Sequence, residues 1–452
     1  MHDRSNTGDL RSSPLQLRRL TVIVGLAMTA MLPAQAQSLI QLYETARAYD
    51  ATYQSAKLQY EATVAKADQA RAGTLPTVGL AMGISRTSLD ANVPVPKSAF
   101  GAQNATISAS QPLFRPANQL TYEQGQKTLV AGQAAVETAE QDMIVRVSQA
   151  YFDVLAAQDG VAFVGAQKSA VAEQLAAAKR NFEVGTSTIT DTREAQARYD
   201  LVLAQEIAAA NDLLVKKIAL DRLVGKDGTL PKPLAPPVVL PALAPTDVNA
   251  WVNQAIDMHP LLRQTTVALE VAQLETRKAQ AGKKPTLDLN GSYALTHNDG
   301  SSSSRLDSRT NVATVALAFN LPLFTGYAVQ NRIKETLALE EKARSDLEAT
   351  RRTVSQATRA AYFGVLSGQG QVKALEAAEA SSQSSLDANK LGYQVGVRIN
   401  IDVLNAQSQL FQTKRDLAKA RYDVLVGGLR LRQANGSLTA NDLQAIEAVL
   451  AK

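Results

Sequence analysis

The ten residues "PTVGLAMGIS" (Pro76–Ser85) sort by parity. Val78, Leu80, Met82 and Ile84 fall on one face, and Thr77, Gly79, Ala81, Gly83 and Ser85 on the other. A period of two marks a β-strand with two unlike faces. The pattern returns in "PTLDLNGSYALT" (Pro285–Thr296), where Leu287, Leu289, Tyr293 and Leu295 oppose Asp288, Asn290, Ser292 and Thr296. It returns again in "VATVALAFNL" (Val312–Leu321), where Val315, Leu317, Phe319 and Leu321 oppose Thr314, Ala316, Ala318 and Asn320. "ATISASQPLF" (Ala105–Phe114) alternates more weakly. Strands are therefore expected at about 76–88, 105–114, 285–297 and 311–323. Such segments suit a half-buried sheet on a soluble protein. They also suit transmembrane strands of about ten residues, apolar toward lipid and small or polar toward a wet lumen.

The surrounding chain favours the membrane. Arg18 and Arg19 precede the apolar run "LTVIVGLAMTAML" (Leu20–Leu32), and "PAQAQS" follows with an Ala34-x-Ala36 cleavage pattern. Residues 1–36 thus read as a secretory signal peptide, since the run is too short to span a bilayer. Cysteine is absent, which excludes disulfides and a lipidated N-terminal cysteine. No later segment reaches the length of a spanning helix, so membrane residence requires a barrel. Four strands cannot close one, because eight is the smallest usual number, and the chain must share its barrel with copies of itself. The formal net charge is +5 over 452 residues, and the leader carries four basic and two acidic residues. The remainder is nearly balanced and has no Lys/Arg block, so no nucleic-acid partner is expected.

The strand pairs belong to a longer duplication. "RNFEVGTSTITDTREAQ" (Arg180–Gln196) reappears as "LGYQVGVRINIDVLNAQ" (Leu391–Gln407). Ala150–Tyr151–Phe152 returns as Ala361–Tyr362–Phe363 and Gly225 as Gly436, all at one spacing of 211 residues. "AGTLPTVGL" (Ala72–Leu80) and "AGKKPTLDL" (Ala281–Leu289) match further upstream, as do "QPLF" (Gln111–Phe114) and "LPLF" (Leu321–Phe324). The expected division is a first repeat at 37–225, a proline-rich connector at 226–247 and a second repeat at 248–452. Each repeat holds a helical stretch, two strands and a very long helical region broken once at a Val-Gly pair. In the last such region Val403, Leu410, Leu417, Val424 and Leu431 recur every seven residues, with Ala406, Thr413, Ala420, Gly427 and Ala434 three positions after each. That is a coiled-coil seam with small neighbours. A continuous helix from about 116 to 184 would be about 100 Å long.

On these features the mature chain resembles the TolC family of trimeric outer-membrane efflux and type I secretion channels. The repeat, the "AYF.VL" pair, the two Val-Gly breaks and the "PLF" strand exits carry the resemblance. It implies a mainly α protein with a β-barrel part: four strands from each of three chains forming a 12-stranded barrel above a periplasmic tunnel of coiled helices. It also implies passive export of proteins or small toxic compounds across the outer membrane. The implied partners are a homotrimer, outer-membrane lipid, a periplasmic adaptor (membrane fusion) protein and an inner-membrane ABC or RND transporter. In that family the Val-Gly sentences are hairpin turns at the tunnel entrance, here at Gly185 and Gly396. The implied gate latch sets Tyr393 and Arg398 of one hairpin against Thr190 and Asp191 of its neighbour. The implied entrance ring has Asp402, with Asn405 standing where the family often has a second acid, which weakens expected cation selectivity. Lys390 stands where an acid often pairs with the position of Gln174. Read from spacing alone, Asp402 is also an ordinary acid at a helix N-terminus, Tyr393 a packing aromatic and Arg398 a solvated charge.

No enzyme chemistry is expected. His2, His259 and His297 have no metal spacing, and "VGKDG" (Val224–Gly228) lacks the upstream glycine of a phosphate loop. No cofactor is expected either. The rival to an export duct is a structural periplasmic coiled-coil protein or adaptor without a membrane barrel.

Overall fold

A computed structural model describes residues 37–90, 98–301, 304 and 306–451; the leader expected at 1–36 lies outside them. Helices α1 (Leu39–Tyr49) and α2 (Ala51–Ala72) lead to strands β1 (Thr77–Leu89) and β2 (Ser98–Phe114), followed by α3 (Pro116–Glu183) and α4 (Ile189–Val224). The order then repeats as α5 (Val248–Met258), α6 (Pro260–Ala281), β3 (Thr286–Asp299), β4 (Asp307–Asn320), α7 (Ala328–Gln394) and α8 (Asn400–Ala434), with α9 (Asp442–Glu447) at the end. Local chemistry sets the joints. Asp50 accepts from the backbone N–H of Tyr53 at 2.7 Å to start α2, and His259 Nδ1 accepts from that of Leu261 at 3.1 Å to start α6. Pro116 and Pro260 open their helices, where a missing N–H costs nothing.

The strands form one antiparallel sheet in the order β1-β2-β3-β4. Its register aligns Leu80, Ile107, Tyr293 and Ala313 in a single row across one face. On that face Val78, Met82, Ile84 and Val315 are 74–86% exposed, so none of the described residues covers it. Among the described residues the outer edges of β1 and β4 are unpaired. β2 begins at Ser98, earlier than alternation suggested, because its first residues other than Phe100 are small or polar on both faces. Its register shifts between Pro112 and Phe114, where proline has no N–H to give. β4 stops at Asn320, two residues before Pro322, although apolar residues continue to Phe324. At the foot of the sheet Arg115, just before α3, grips Asp288 of β3 through two hydrogen bonds of 2.7 and 2.6 Å.

α3 is one uninterrupted helix of 68 residues and α7 one of 67, each about 100 Å long. All five heptad positions of α8, from Val403 to Leu431, are buried. The small residues matter for distance: a Cβ on Gly368 of α7 would lie 2.9 Å from Val424 of α8. The largest core gathers α1, α3, α4, α8 and α9 around Tyr151 and Phe152, with Phe152 stacked on Tyr422 at 5.6 Å. The repeated tyrosines hold the connector between the halves. Tyr151 donates to the carbonyl of Lys232 at 2.9 Å, and Tyr362 donates to that of Thr246. The two copies are not packed alike, however: Phe152 is 1% exposed and its counterpart Phe363 is 54% exposed.

Gly225 and Gly436 end α4 and α8 at φ of +73° and +78°, the left-handed region that favours glycine. A Cβ at Gly436 would also lie 2.5 Å from the Cα of His259. Gly436→Ala is expected to destabilise the protein by about 1–3 kcal/mol, read as a lowered thermal midpoint by circular dichroism. An unchanged midpoint would show that α6 yields at no cost.

Candidate functional site: the hairpin tips

The two Val-Gly breaks fold into the same turn. Gly185 has φ of +79° and Gly396 of +81°. The N–H of Thr186 returns to the carbonyl of Asn181 at 2.8 Å, and that of Val397 to Gly392 at 2.9 Å. These bonds tie off the carbonyls at the ends of α3 and α7. Both breaks therefore reverse a long helix into the next, and the chain presents two hairpins, α3–α4 and α7–α8.

The restarts differ. At the first tip Thr188 and Asp191 form a capping box: Thr188 Oγ1 accepts from the Asp191 N–H, and Asp191 Oδ2 accepts from the Thr188 N–H at 3.1 Å. Ser187 and Thr188 hydroxyls add bonds of 2.7 and 2.9 Å to the same carboxylate oxygen. Burial alone would raise the Asp191 carboxyl, but these bonds outweigh it and hold it below the ordinary carboxylate range. At the second tip Ile399 occupies the cap position and offers no side-chain oxygen. Asp402 is left with Arg398, one turn back, at 3.6 Å.

Between hairpins, four polar contacts join the tips within the chain. Asn181 of α3 donates to the Tyr393 hydroxyl of α7 at 3.2 Å. Gln174 donates to the side-chain oxygen of Asn400, whose own amide donates to the backbone carbonyl of Asp191 at 3.3 Å. Arg198 of α4 donates to Asn405 of α8 at 2.9 Å. The expected meeting of Tyr393 and Arg398 with the Asp191 side chain does not occur inside one chain. Asp191 is occupied by its own cap, and Arg398 is turned toward Asp402. Thr190 is exposed beside them. Asn405 faces Arg198, and Lys390 is exposed while Gln174 serves Asn400 instead. Asn400, fully buried, was missed by the sequence reading. Its signal was a polar residue four positions before Leu404, on the face of α8 that packs against Ala195 and Val202 of the other hairpin.

The profile of the outer membrane efflux protein family matches this chain twice, at residues 42–226 and 251–437. The chain belongs to that family. It is 31% identical to outer membrane protein TolC of Escherichia coli K12 over 446 residues, which is 96% of this chain and 89% of TolC. It is 30% identical to the alkaline protease secretion protein AprF of Pseudomonas aeruginosa, covering 92% of this chain and 88% of AprF. The fold is shared with the crystal structure of VceC from Vibrio cholerae, with a TM-score of 0.76 at 19% identity over 88% of this chain and 96% of that one. The two family matches fall on the two hairpin-bearing halves. As a member of the family the chain is an outer-membrane channel protein, with its sheet in the membrane and its helices reaching into the periplasm.

The capping box makes the first tip sensitive to acid. A carboxyl held below its unfolded value adds stability that is complete above the unfolded pKa and is lost as pH falls through the folded one. Asp191→Ala at neutral pH is expected to cost the α3–α4 tip about 1 kcal/mol. A spin label at Glu183 should report the same loosening in the unaltered protein only below the ordinary carboxylate range. Equal mobility of variant and parent at pH 7 would remove the cap from the account.

Proposed function

We propose that three copies of this chain close a 12-stranded barrel in the outer membrane. The barrel continues into a periplasmic tunnel of long helices, and the assembly is a passive export duct. The reading that best fits the chain is a division into repeats at 37–225 and 248–452 around a connecting belt at 226–247. One observation carries the proposal: a four-stranded sheet with an uncovered apolar face and two unpaired edges, joined directly to helices of 68 and 67 residues. An open edge in hydrocarbon leaves backbone groups unsatisfied at several kcal/mol each, whereas three sheets edge to edge leave none. Energy and cargo choice would come from an inner-membrane ABC or RND transporter and its periplasmic adaptor. AprF is named for protease secretion, which supports polypeptide cargo; the family description, efflux, supports small toxic compounds.

The tips would form the periplasmic entrance, with Gly185 and Gly396 at its rim. Asp402 is the proposed ring residue. Its carboxylate is free of any capping role, unlike that of Asp191, which supports its availability to cations on a three-fold axis. Asn405 would add an uncharged ring, its oxygen already engaged by Arg198. Tyr393 and Arg398 would latch one hairpin to the Thr190–Asp191 tip next to it, for Arg398 across the subunit boundary. Asn400 would add a second bolt within each chain. Each such hydrogen bond is worth about 0.5–1.5 kcal/mol, so removing several shifts a closed–open balance severalfold per subunit.

The oligomer itself is testable by fractionation. An SDS-resistant, heat-modifiable species in outer membranes is expected, and recovery as a soluble periplasmic monomer would instead favour a coiled-coil spacer. In planar bilayers the combined Tyr393→Phe, Arg398→Ser and Asn400→Ala variant should raise single-channel conductance severalfold. Conductance equal to the parent's would dissolve the latch.

The proposed ring makes a separate demand. Asp402→Ala should shift the reversal potential under a salt gradient toward zero cation preference. An unaltered reversal potential would place Asp402 outside the pore.

A further inference from the structure

The uncovered face of the sheet is not uniformly apolar. From the helical end toward the loops, β1 presents Val78, Leu80, Met82 and Ile84, a span of about 20 Å at 3.4 Å per residue. The next outward residue is Arg86. Register carries this boundary across all four strands: Met82, Ala105, Leu295 and Asn311 form one row, and Ile84, Gln103, His297 and Arg309 the next. Arg86, Gly101, Asp299 and Asp307 form the row nearest the loops. A guanidinium facing lipid is costly at mid-membrane and nearly free at the interface. Arg309, in the Ile84 row, and Arg86, one row further out, therefore mark the headgroup-side limit of the apolar band.

The surface here is grooved rather than smooth. β2 contributes Ala105 between the larger outward side chains of β1 and β3, which leaves a trough of about 500 Å³ lined by Met82, Ala105 and Leu295. A smaller hollow of about 280 Å³ adjoins it at Arg86 and Gly101, and Gln103 and His297 line both. Among the described residues, neither the Arg86 nor the Arg309 guanidinium has a hydrogen-bond or ion-pair partner. Asp299 lies 4.0 Å from His297 Nε2 and beyond reach of either guanidinium, and His297 Nδ1 is buried without a partner.

We propose that this trough seats one outer-leaflet glycolipid carrying two phosphates on a sugar headgroup. The inference rests on the barrel reading above. The acyl chain lies along β2 between Met82 and Leu295. Arg86 and Arg309 are three strand spacings and two residues of rise apart, about 16 Å, too far to share one phosphate. They match a disaccharide phosphorylated at both ends, with Gln103 and His297 beneath the sugars as hydrogen-bonding groups. Two unpaired guanidiniums flank a polar floor and an apolar channel, with the Asp299 and Asp307 carboxylates beside them in the outermost row; the cations match the two phosphates and the channel the chain. A single-phosphate glycerolipid satisfies only one of them.

The test uses the full-length protein purified in mild detergent and titrated with diphosphorylated lipid A, its monophosphorylated form and phosphatidylglycerol, with bound lipid counted by native mass spectrometry. Diphosphorylated lipid A should bind tightest. Arg86→Gln and Arg309→Gln should each weaken it about fivefold, and the double variant roughly 25-fold, the effect of about one interfacial charge apiece. Lys373→Gln, an exposed charge on α7, should leave binding unchanged. Equal retention of the three lipids, parental binding by the double variant, or an equal loss in Lys373→Gln would overturn the site. The SDS-resistant oligomer is scored in the same sample. Its presence without selective lipid binding sinks this inference alone, and its absence sinks the barrel as well.

Discussion

Hydrocarbon offers no hydrogen bonds, and that constraint governs the molecule. A sheet may enter a bilayer only if every strand edge is paired. The four strands of this chain meet the demand internally at three junctions and leave it open at two edges, β1 and β4. Everything lipid-facing about the sheet, from the exposed row at Val78 to the small outward residues of β2, presupposes that copies complete it. The helices inherit the consequence: their spacing around the tunnel follows from the barrel to which they are fused. Arg115 and Asp288 fasten that junction, tying the first residue before α3 to a strand of the other half.

Below the sheet, length is achieved with little amphipathicity. Alanine and glycine let α7 and α8 approach until Val424 nearly touches Gly368, so contact area replaces bulky side chains. The equator is different. There Tyr151 and Tyr362, equivalent in the duplication, turn their hydroxyls to opposite ends of the proline-rich connector. Proline removes backbone donors but not carbonyls, and side-chain donors fill the gap. The exposure of Phe363, against complete burial of Phe152, shows how two halves of one plan serve different surroundings.

Much of this was legible in the residues. Parity identified the strands because their two faces meet different media, and the duplication identified the hairpins because glycine is needed at both turns. The early start of β2 was not legible, since from Ala99 to Asn104 a single apolar side chain, Phe100, interrupts small and polar residues and sets up no alternation. The tip contacts were only half legible. Gly185, Gly396 and the acids could be placed by motif, but partners such as Asn181, Gln174 and Arg198 come from distant segments. The local sequence does separate the two acids: a hydroxyl residue stands at capping-box spacing before Asp191 and none before Asp402. That difference follows from Thr188 against Ile399, a side chain that can accept a hydrogen bond against one that cannot.

The same exchange tells the two copies apart mechanically. With identical caps, both tips would resist fraying equally. A hydroxyl at one cap and none at the other leave the first tip tied by its own carboxylate and the second without that tie, a difference in local stiffness that needs no new element in the chain.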